Sequence, residues 1–534
     1  MRYEIALESN QTSMLCSPPM KPSPRLVPWL IVAVALVVLL PGTATIPLID
    51  RDEPRFAQAT REMMEGEHAN WVVPYFNGEY RFDKPILIYW MMRASYTVLG
   101  VNEFSARLPS VLCAIALALF LWRVGRRWFS DGAGWLAGLG ILTCVQMLMH
   151  GRSAVADMPM VLAIAVAQVA AFELLHAEQP EQNWNNCLVL YVALGLGFLA
   201  KGPVALVVPV LTLVLHRFVF WRRPLPWRNL RLALGLPVTL LIMAAWGIPA
   251  ILATQGLFYK IGIGEHVVER GHKTFQGHGG FILYYLGTAF LSLCPWIACA
   301  GEGAVAVKRN WNAKTAFLVS WLAGTYLVFS LYVTKLPHYV LPAFPAFFLL
   351  LGLLAQPDAK PRWTRVFFWI VIGVFAVIGL VLLPVLGLVL VVLAVRFNRF
   401  ALALAGVIVV AVGTAFGAVK LRTATATLQL LPTFRQMPAQ TQCAGLHFGE
   451  PSLVFYSNHR WKDVPDAAGL STWMTNSGPR LAVCMERETR LPKRITDYAA
   501  ELALLPTNGY QQATVEGLDI ARVSWVKLRV FQRF

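Results

Sequence analysis

About 13 stretches of this chain are apolar over roughly the length that crosses a bilayer, and this feature alone removes most water-soluble folds from consideration. The first runs from Leu26 to about Pro47, and the others centre near 108–122, 132–149, 158–175, 187–200, 203–216, 232–252, 281–301, 315–333, 337–355, 366–381, 382–395 and 400–419. A chain of 534 residues that is 57% hydrophobic and 14% charged has too little charge to cover a surface facing water. The expected fold class is therefore an α-helical polytopic membrane protein. The first run is long and is followed by a loop rich in charged residues, so it reads as an uncleaved span rather than a signal peptide.

A formal net charge of +17 invites nucleic acid as a partner, but the basic residues stand between the apolar runs. Arg123, Arg126 and Arg127 form one group, Arg217, Arg222, Arg223, Arg228 and Arg231 another, and Lys308, Arg309 and Lys314 a third. Lys360, Arg362 and Arg365, then Arg396 and Arg399, complete the alternate loops. That is the positive-inside pattern of a multi-pass inner-membrane protein, with residues 1–25 as a cytoplasmic tail and no nucleic acid implied. An odd number of spans places the C-terminus outside. The membrane domain then covers 26–420, and 421–534 forms a periplasmic domain.

In that last part, short alternating runs such as Leu453–Tyr456 and Leu481–Cys484 lie between turn signals at Ser457-Asn458, Asn476-Ser477-Gly478-Pro479 and Asn508-Gly509, which predicts a small α/β domain. Cys443 and Cys484 lie there, and a disulfide between them is open in a periplasmic setting. The other cysteines lie singly in or beside apolar runs and show no metal-binding spacing.

The external connections carry the chemistry. The long loop 48–107 reads Asp50-Arg51-Asp52-Glu53-Pro54-Arg55 and later Arg81-Phe82-Asp83-Lys84-Pro85, with helical character from Phe56 to Met64 and an interfacial helix over Ile86–Val101. Its carboxylates are either a solvated cap or a site. Asp157, in Ala156-Asp157-Met158-Pro159, is either a helix cap or a second carboxylate of that site. The loop 254–280 holds Glu265, His266, Glu269, Arg270, His272 and His278, which read either as a metal site or as an ordinary polar surface. Two short turns add Lys201-Gly202-Pro203 and Lys335-Leu336-Pro337-His338-Tyr339. Cations and carboxylates gathered at one membrane face suit phosphate-bearing lipids.

These strings resemble a known family. Asp52-Glu53-Pro54-Arg55-Phe56-Ala57 with Arg61-Glu62-Met63, Trp71-Val72-Val73-Pro74 and Phe82-Asp83-Lys84-Pro85 is similar to the first periplasmic loop of the bacterial aminoarabinose transferases (ArnT). Those enzymes belong to the wider GT-C glycosyltransferase superfamily that includes protein O-mannosyltransferases. Ala-Asp-Met-Pro around Asp157, Ala200-Lys201-Gly202, Glu265-His266, Cys294-Pro295-Trp296 and the Lys335–Tyr339 string continue the likeness in order across the membrane part. The chain has Phe56 and Asp83 where the family often has Tyr and Glu.

The resemblance implies transfer of 4-amino-4-deoxy-L-arabinose from undecaprenyl phosphate to lipid A phosphate, a modification that weakens binding of polymyxin-type peptides. It implies Asp52 and Asp157 as catalytic carboxylates. Arg55, Lys84 and Arg270 would hold the carrier phosphate, and Glu53, Lys201, Lys335 and Tyr339 would join the substrate-binding set. Asp83 and His266 would hold a divalent cation, zinc or magnesium, if one is used; none is required by the expected chemistry. The partners would be the lipid-linked sugar, the acceptor and membrane lipids, with the enzyme a monomer. Two alternatives stay open: a GT-C enzyme moving galactosamine, a hexose or mannose to lipid or protein, and a lipid transporter. A transporter is expected to place its ions near mid-membrane.

Overall fold

The computed structural model describes residues 26–177, 183–262, 281–355, 417–490 and 494–534. The expected spans at 366–381 and 382–395, and nearly all of 400–419, lie outside the described residues, as do Arg270 and His266. Up to the 253rd residue the helices are α1 (Val27–Leu39), α2 (Glu53–Glu62), α3 (Leu87–Leu99), α4 (Glu103–Trp128), α5 (Asp131–Leu142), α6 (Val145–His150), α7 (Asp157–Leu175), α8 (Trp184–Lys201), α9 (Val204–Leu215) and α10 (Leu232–Ala253). Among the described residues, six helices are long and apolar enough to cross a membrane, or seven if the bent pair Tyr284–Ser292 and Trp296–Arg309 is one span. Among the described residues the chain is thus a helical membrane unit, with one short hairpin in its first loop, followed by a sheet domain.

Several span boundaries differ from the sequence reading: the first helix ends at Leu39 rather than near Pro47, the span expected at 281–301 is a bent pair reaching Arg309, and two further differences have identifiable reasons. The run expected at 108–122 begins as α4 at Glu103, because Asn102 and Ser105 form a reciprocal capping box ahead of the apolar stretch. Arg126 and Arg127 close α4, where cations suit the helix dipole. The run expected at 132–149 is broken between α5 and α6. The break faces the bend of the Tyr284–Arg309 pair, which turns by 109°. Backbone groups freed inside a membrane need partners, and here the two interruptions supply each other. The Val145 N–H donates to the Cys294 carbonyl (3.1 Å), the Trp296 indole to the Thr143 hydroxyl (2.9 Å) and the Ser292 hydroxyl to Gln146 (3.1 Å). Close approach also needs small residues: a Cβ at Gly134 would collide with the Trp122 carbonyl oxygen, so α4 and α5 meet backbone to backbone.

The first loop folds onto the helix ends. α2 lies between α3 and the sheet domain, and a hairpin of β1 (Tyr75–Phe76) and β2 (Glu79–Tyr80) packs beside it. The helix expected over Ile86–Val101 is α3, which buries Ile88, Tyr89, Met92, Ser95 and Tyr96 on one face. Arg93, the one charge inside it, donates to the Met63 and Asn70 carbonyls at 2.7 and 2.8 Å.

The C-terminal domain is α/β, as expected. Its strands are β3 (Gln442–Leu446), β4 (Trp461–Val464), β5 (Arg480–Arg490), β6 (Arg494–Asp497), β7 (Gln511–Asp519) and β8 (Ser524–Arg533). They lie in the order β4-β3-β5-β8-β7 with β6 also on β5; β3 pairs in parallel with β4 and β5, and the remaining pairs are antiparallel. One expectation fails here, and one pairing left open is answered. Leu453–Tyr456 is not strand-like but lies in a helix, Pro451–Ser457, opened by a proline and closed by Asn458 in the left-handed conformation (φ 54°). Cys443 and Cys484 do not pair. Cys443 sits opposite Leu481 and Cys484 opposite Leu446, and the two thiols enter cores on opposite faces of the sheet, where both are free.

Candidate active site

Neighbouring carboxylates on the first loop have opposite fates. Asp52 occupies the N-cap position of α2 yet makes no capping bond with its side chain, and it is exposed. Glu53 is only 3% exposed and accepts from Arg107 at 2.9 and 2.7 Å, from the Ile49 N–H at 2.8 Å and from the Ala154 N–H at 2.6 Å. Burial alone would raise its pKa, but Arg107 and those backbone donors hold the Glu53 carboxyl below the usual range. Glu53 therefore braces the segment that presents Asp52 against the segment that leads into Asp157.

The second half of the loop brings cations. Arg81 is buried, donates to the Tyr89 hydroxyl (3.0 Å), pairs with Asp83 (2.9 Å) and lies over the Phe56 ring (5.1 Å). The Lys84 ammonium donates to the Asp83 carbonyl at 3.1 Å. Asp52 lies close enough for its charge to act on both Arg55 and Arg81.

Across from this loop, α7 begins with Asp157 and α8 ends with Lys201, because the two helices run antiparallel to the same membrane face. Their side chains pair at 2.5 Å and are largely buried. The N-cap of α7 is Ala156, so Asp157 is engaged with a cation rather than held as the cap. His150, carried to this place by the break after α5, lies with its ring 5.0 Å from that of His338. The Lys201 ammonium is 5.7 Å from the Tyr339 ring centre. Asp52 lies near enough to His150, and Lys84 near enough to His338, for a weak influence of charge, which puts the two halves at the same end of the helices. Lys335 is placed differently: its ammonium donates to the carbonyls of Phe329, Ser330 and Tyr332 and closes the helix Ala313–Leu331.

The sequence reading passed over Arg107, Arg81 and His150. Arg107 left the clearest signal, a lone cation at the mouth of an apolar run. His150 left none beyond its position at the end of another.

Of the expected metal pair Asp83 and His266, only Asp83 lies among the described residues. Asp83, one half of the expected pair, faces Arg81 and Arg55, a cationic setting. A different trio, His150, Asp157 and His338, has ligand atoms within 4.8 Å of one another. Lys201 already supplies the counter-charge of Asp157 at 2.5 Å, and a divalent ion there would have to displace it. The chemistry this arrangement offers is anion binding beside an exposed carboxylate.

Comparison with known proteins agrees. Residues 83–247 match the family model of dolichyl-phosphate-mannose-protein mannosyltransferases. The chain is 32% identical over 346 residues to the undecaprenyl phosphate-alpha-4-amino-4-deoxy-L-arabinose arabinosyl transferase of Enterobacter sp. (strain 638), covering 63% of this chain and 61% of that one. It is 31% identical over 375 residues to the enzyme of the same name from Aeromonas salmonicida (strain A449), covering 68% and 66%. The match thus spans a little under two thirds of the length of these relatives. The crystal structure of ArnT from Cupriavidus metallidurans bound to undecaprenyl phosphate has the same fold, with a TM-score of 0.75 at 23% identity over 94% of this chain and 97% of that one.

Proposed function

Because this chain is homologous to the undecaprenyl phosphate aminoarabinose transferases and shares the ArnT fold, we propose that it transfers 4-amino-4-deoxy-L-arabinose from undecaprenyl phosphate to a lipid A phosphate. The observation that carries this reading is the meeting, at one end of an apolar helix bundle, of exposed Asp52 with Arg55 and Lys84 on one side and the Asp157–Lys201 pair on the other.

The reaction needs a leaving phosphate with its charge neutralised. Lys84 and Arg55 neutralise the carrier phosphate as the bond from the anomeric carbon to its oxygen breaks and the electron pair passes to that oxygen. An oxygen of the acceptor phosphate, already ionised, forms the new bond from the opposite face, so no proton has to be removed and the configuration inverts. Asp52 orients the reacting groups and stabilises positive charge developing at the anomeric carbon, while Asp157, held by Lys201, with Tyr339 beside it, contacts the sugar. The apolar helices provide the groove for the prenyl chain.

The orientation belongs to the same proposal. Arg126, Arg127, Lys308 and Arg309 close helices in their last turns, and the first two stand at the end of α4 remote from Glu53. The positive-inside rule then puts that end in the cytoplasm of an inner membrane and the site and sheet domain in the periplasm. The enzyme acts as a monomer.

The test is transfer of radiolabel from the undecaprenyl-phosphate sugar to lipid A by the full chain in nanodiscs. Label on lipid A is expected. A folded sample that passes label from another donor but not from this one would overturn the sugar assignment. Lys84→Met is expected to lower the rate on the order of 10²-fold, as loss of a positioned charge donor does in other enzymes. Since Lys201 already pairs with Asp157 at 2.5 Å, chelation with EDTA is expected to leave the rate unchanged; loss restored by zinc alone would contradict that.

A further inference from the structure

The sheet domain is joined to the segment that carries Asp52 far more closely than a tethered module would be. Its helix Pro451–Ser457 receives the Leu48 N–H on the Tyr456 hydroxyl (3.0 Å) and gives its own Ser452 N–H to the Asp50 carboxyl (2.7 Å). Behind Asp52, Arg61 of α2 donates to the Phe455 carbonyl (2.9 Å) and to Asn458 (3.1 Å), and lies over the Phe455 ring (4.7 Å). Phe455 is itself buried in the first loop's core with Leu48, Phe56 and Ala59. Further out, Asn77 and the backbone of Trp461 exchange two hydrogen bonds of 2.7 Å. Asp52, between these anchors, is the exposed member of the segment that makes no capping bond.

We propose that the helix Pro451–Ser457 is a positioning element: it grips the chain on both sides of Asp52, and so fixes the approach of that carboxylate to the reacting sugar. The inference rests on the proposed transfer at Asp52. A displacement of about 1 Å in a reacting group costs up to about 10²-fold in rate, so a grip of several short hydrogen bonds to the flanking residues is worth having. It also accounts for the sheet domain, whose own residues offer no separate chemistry at the site.

The grip has a pH dependence. Burial pushes the Asp50 carboxyl up to about 8, with the nearby Glu450 and Asp519 charges adding to the effect. Arg522 faces Glu450 at 2.8 Å and Asp519 at 3.3 Å, and the Ser452 N–H faces Asp50 itself. A carboxyl raised on folding contributes stability that is complete below its unfolded pKa of about 4 and is lost as pH rises through the folded value. The grip is therefore expected to weaken progressively between about pH 4 and about 8, with no further change above that.

The experiment uses full-length enzyme in nanodiscs with Tyr456→Phe, Asn77→Gly and the double variant; glycine keeps the positive φ of 60° at position 77. Hydrogen exchange at residues 48–62 reads the grip without substrate, and kcat and KM read its consequence. Faster exchange there, with kcat lowered by about tenfold or more and KM for the donor unchanged, is expected. Unchanged exchange overturns the proposal even if the wild type accepts no aminoarabinose donor. Faster exchange with wild-type kcat also overturns it, as does a raised KM for lipid A at constant kcat, which would assign the domain to acceptor binding. Asp50→Asn retains an oxygen for the Ser452 N–H and is expected to flatten the pH dependence of protection between about pH 4 and 8; Asp50→Leu is expected to lose the grip at every pH.

Discussion

Replacing Asp52 by asparagine is expected to lower transfer by about 10³-fold while leaving donor binding and thermal stability unchanged, a loss in the range seen when a positioned catalytic carboxylate is removed. The separation follows from its surroundings. Asp52 is exposed and makes no capping bond to α2, so asparagine removes a charge without removing a structural contact. In the proposed mechanism the donor is held through its phosphate by Lys84 and Arg55, which are untouched. The informative quantities are kcat, KM for the lipid-linked sugar and the melting temperature in detergent. A fall in kcat alone supports a carboxylate acting in the transition state, because interactions made only there change kcat and not KM. A variant with full activity would remove Asp52 from the mechanism, and a glycosyl adduct trapped on Asp52 or Asp157 would replace a single displacement by a double one.

Much of the membrane unit was legible because an apolar run is nearly sufficient to define a span. Its ends were less so: α4 starts with a local cap at Asn102 that the apolar count ignores, and the break after α5 is stabilised by residues 292–296, distant in sequence. The site was legible in part for a similar reason. Asp52, Lys84, Asp157 and Lys201 sit at the mouths of apolar runs, and helix geometry returns those mouths to one face. What sequence cannot reveal is whether a charge is offered or already engaged. Glu53 and Asp52 are adjacent and were read alike, yet one is sealed against Arg107 and the other is open. Lys335 is placed by the sequence in the substrate-binding set, and its ammonium meets three carbonyls. His150 and Arg107 matter through tertiary contacts alone, so a reading that works along the chain had no reason to select them. The cysteine pairing stayed open for a different cause: a one-dimensional count of thiols carries no face, whereas residues at an odd spacing along one sheet register point to opposite sides.

Arg107→Met is expected to be the most destabilising single substitution at the site, by about 3–5 kcal/mol, because it leaves a buried carboxylate without its cation. All five guanidinium hydrogens have acceptors. Nε and Nη2 hold the two oxygens of Glu53, Nη2 also reaches the Pro47 carbonyl, and Nη1 reaches those of Thr43 and Ile46. Arg107→Lys is not a conservative change here, since an ammonium has three donors and no planar fork; it is expected to fall nearer methionine than wild type. Glu53→Gln should cost less, because the amide keeps an oxygen for the backbone donors and relieves the charge. The double variant Arg107→Met with Glu53→Gln is expected to be more stable than Arg107→Met alone, the signature of an unpaired charge rather than of lost packing. Additivity of the two substitutions to within about 0.5 kcal/mol in thermal unfolding would refute the coupling. Catalysis should follow the same order, for Glu53 also receives the Ala154 N–H from the turn before Asp157. When the pair is lost, the two segments that face the sugar no longer share a support, and their relative placement relaxes even in molecules that remain folded.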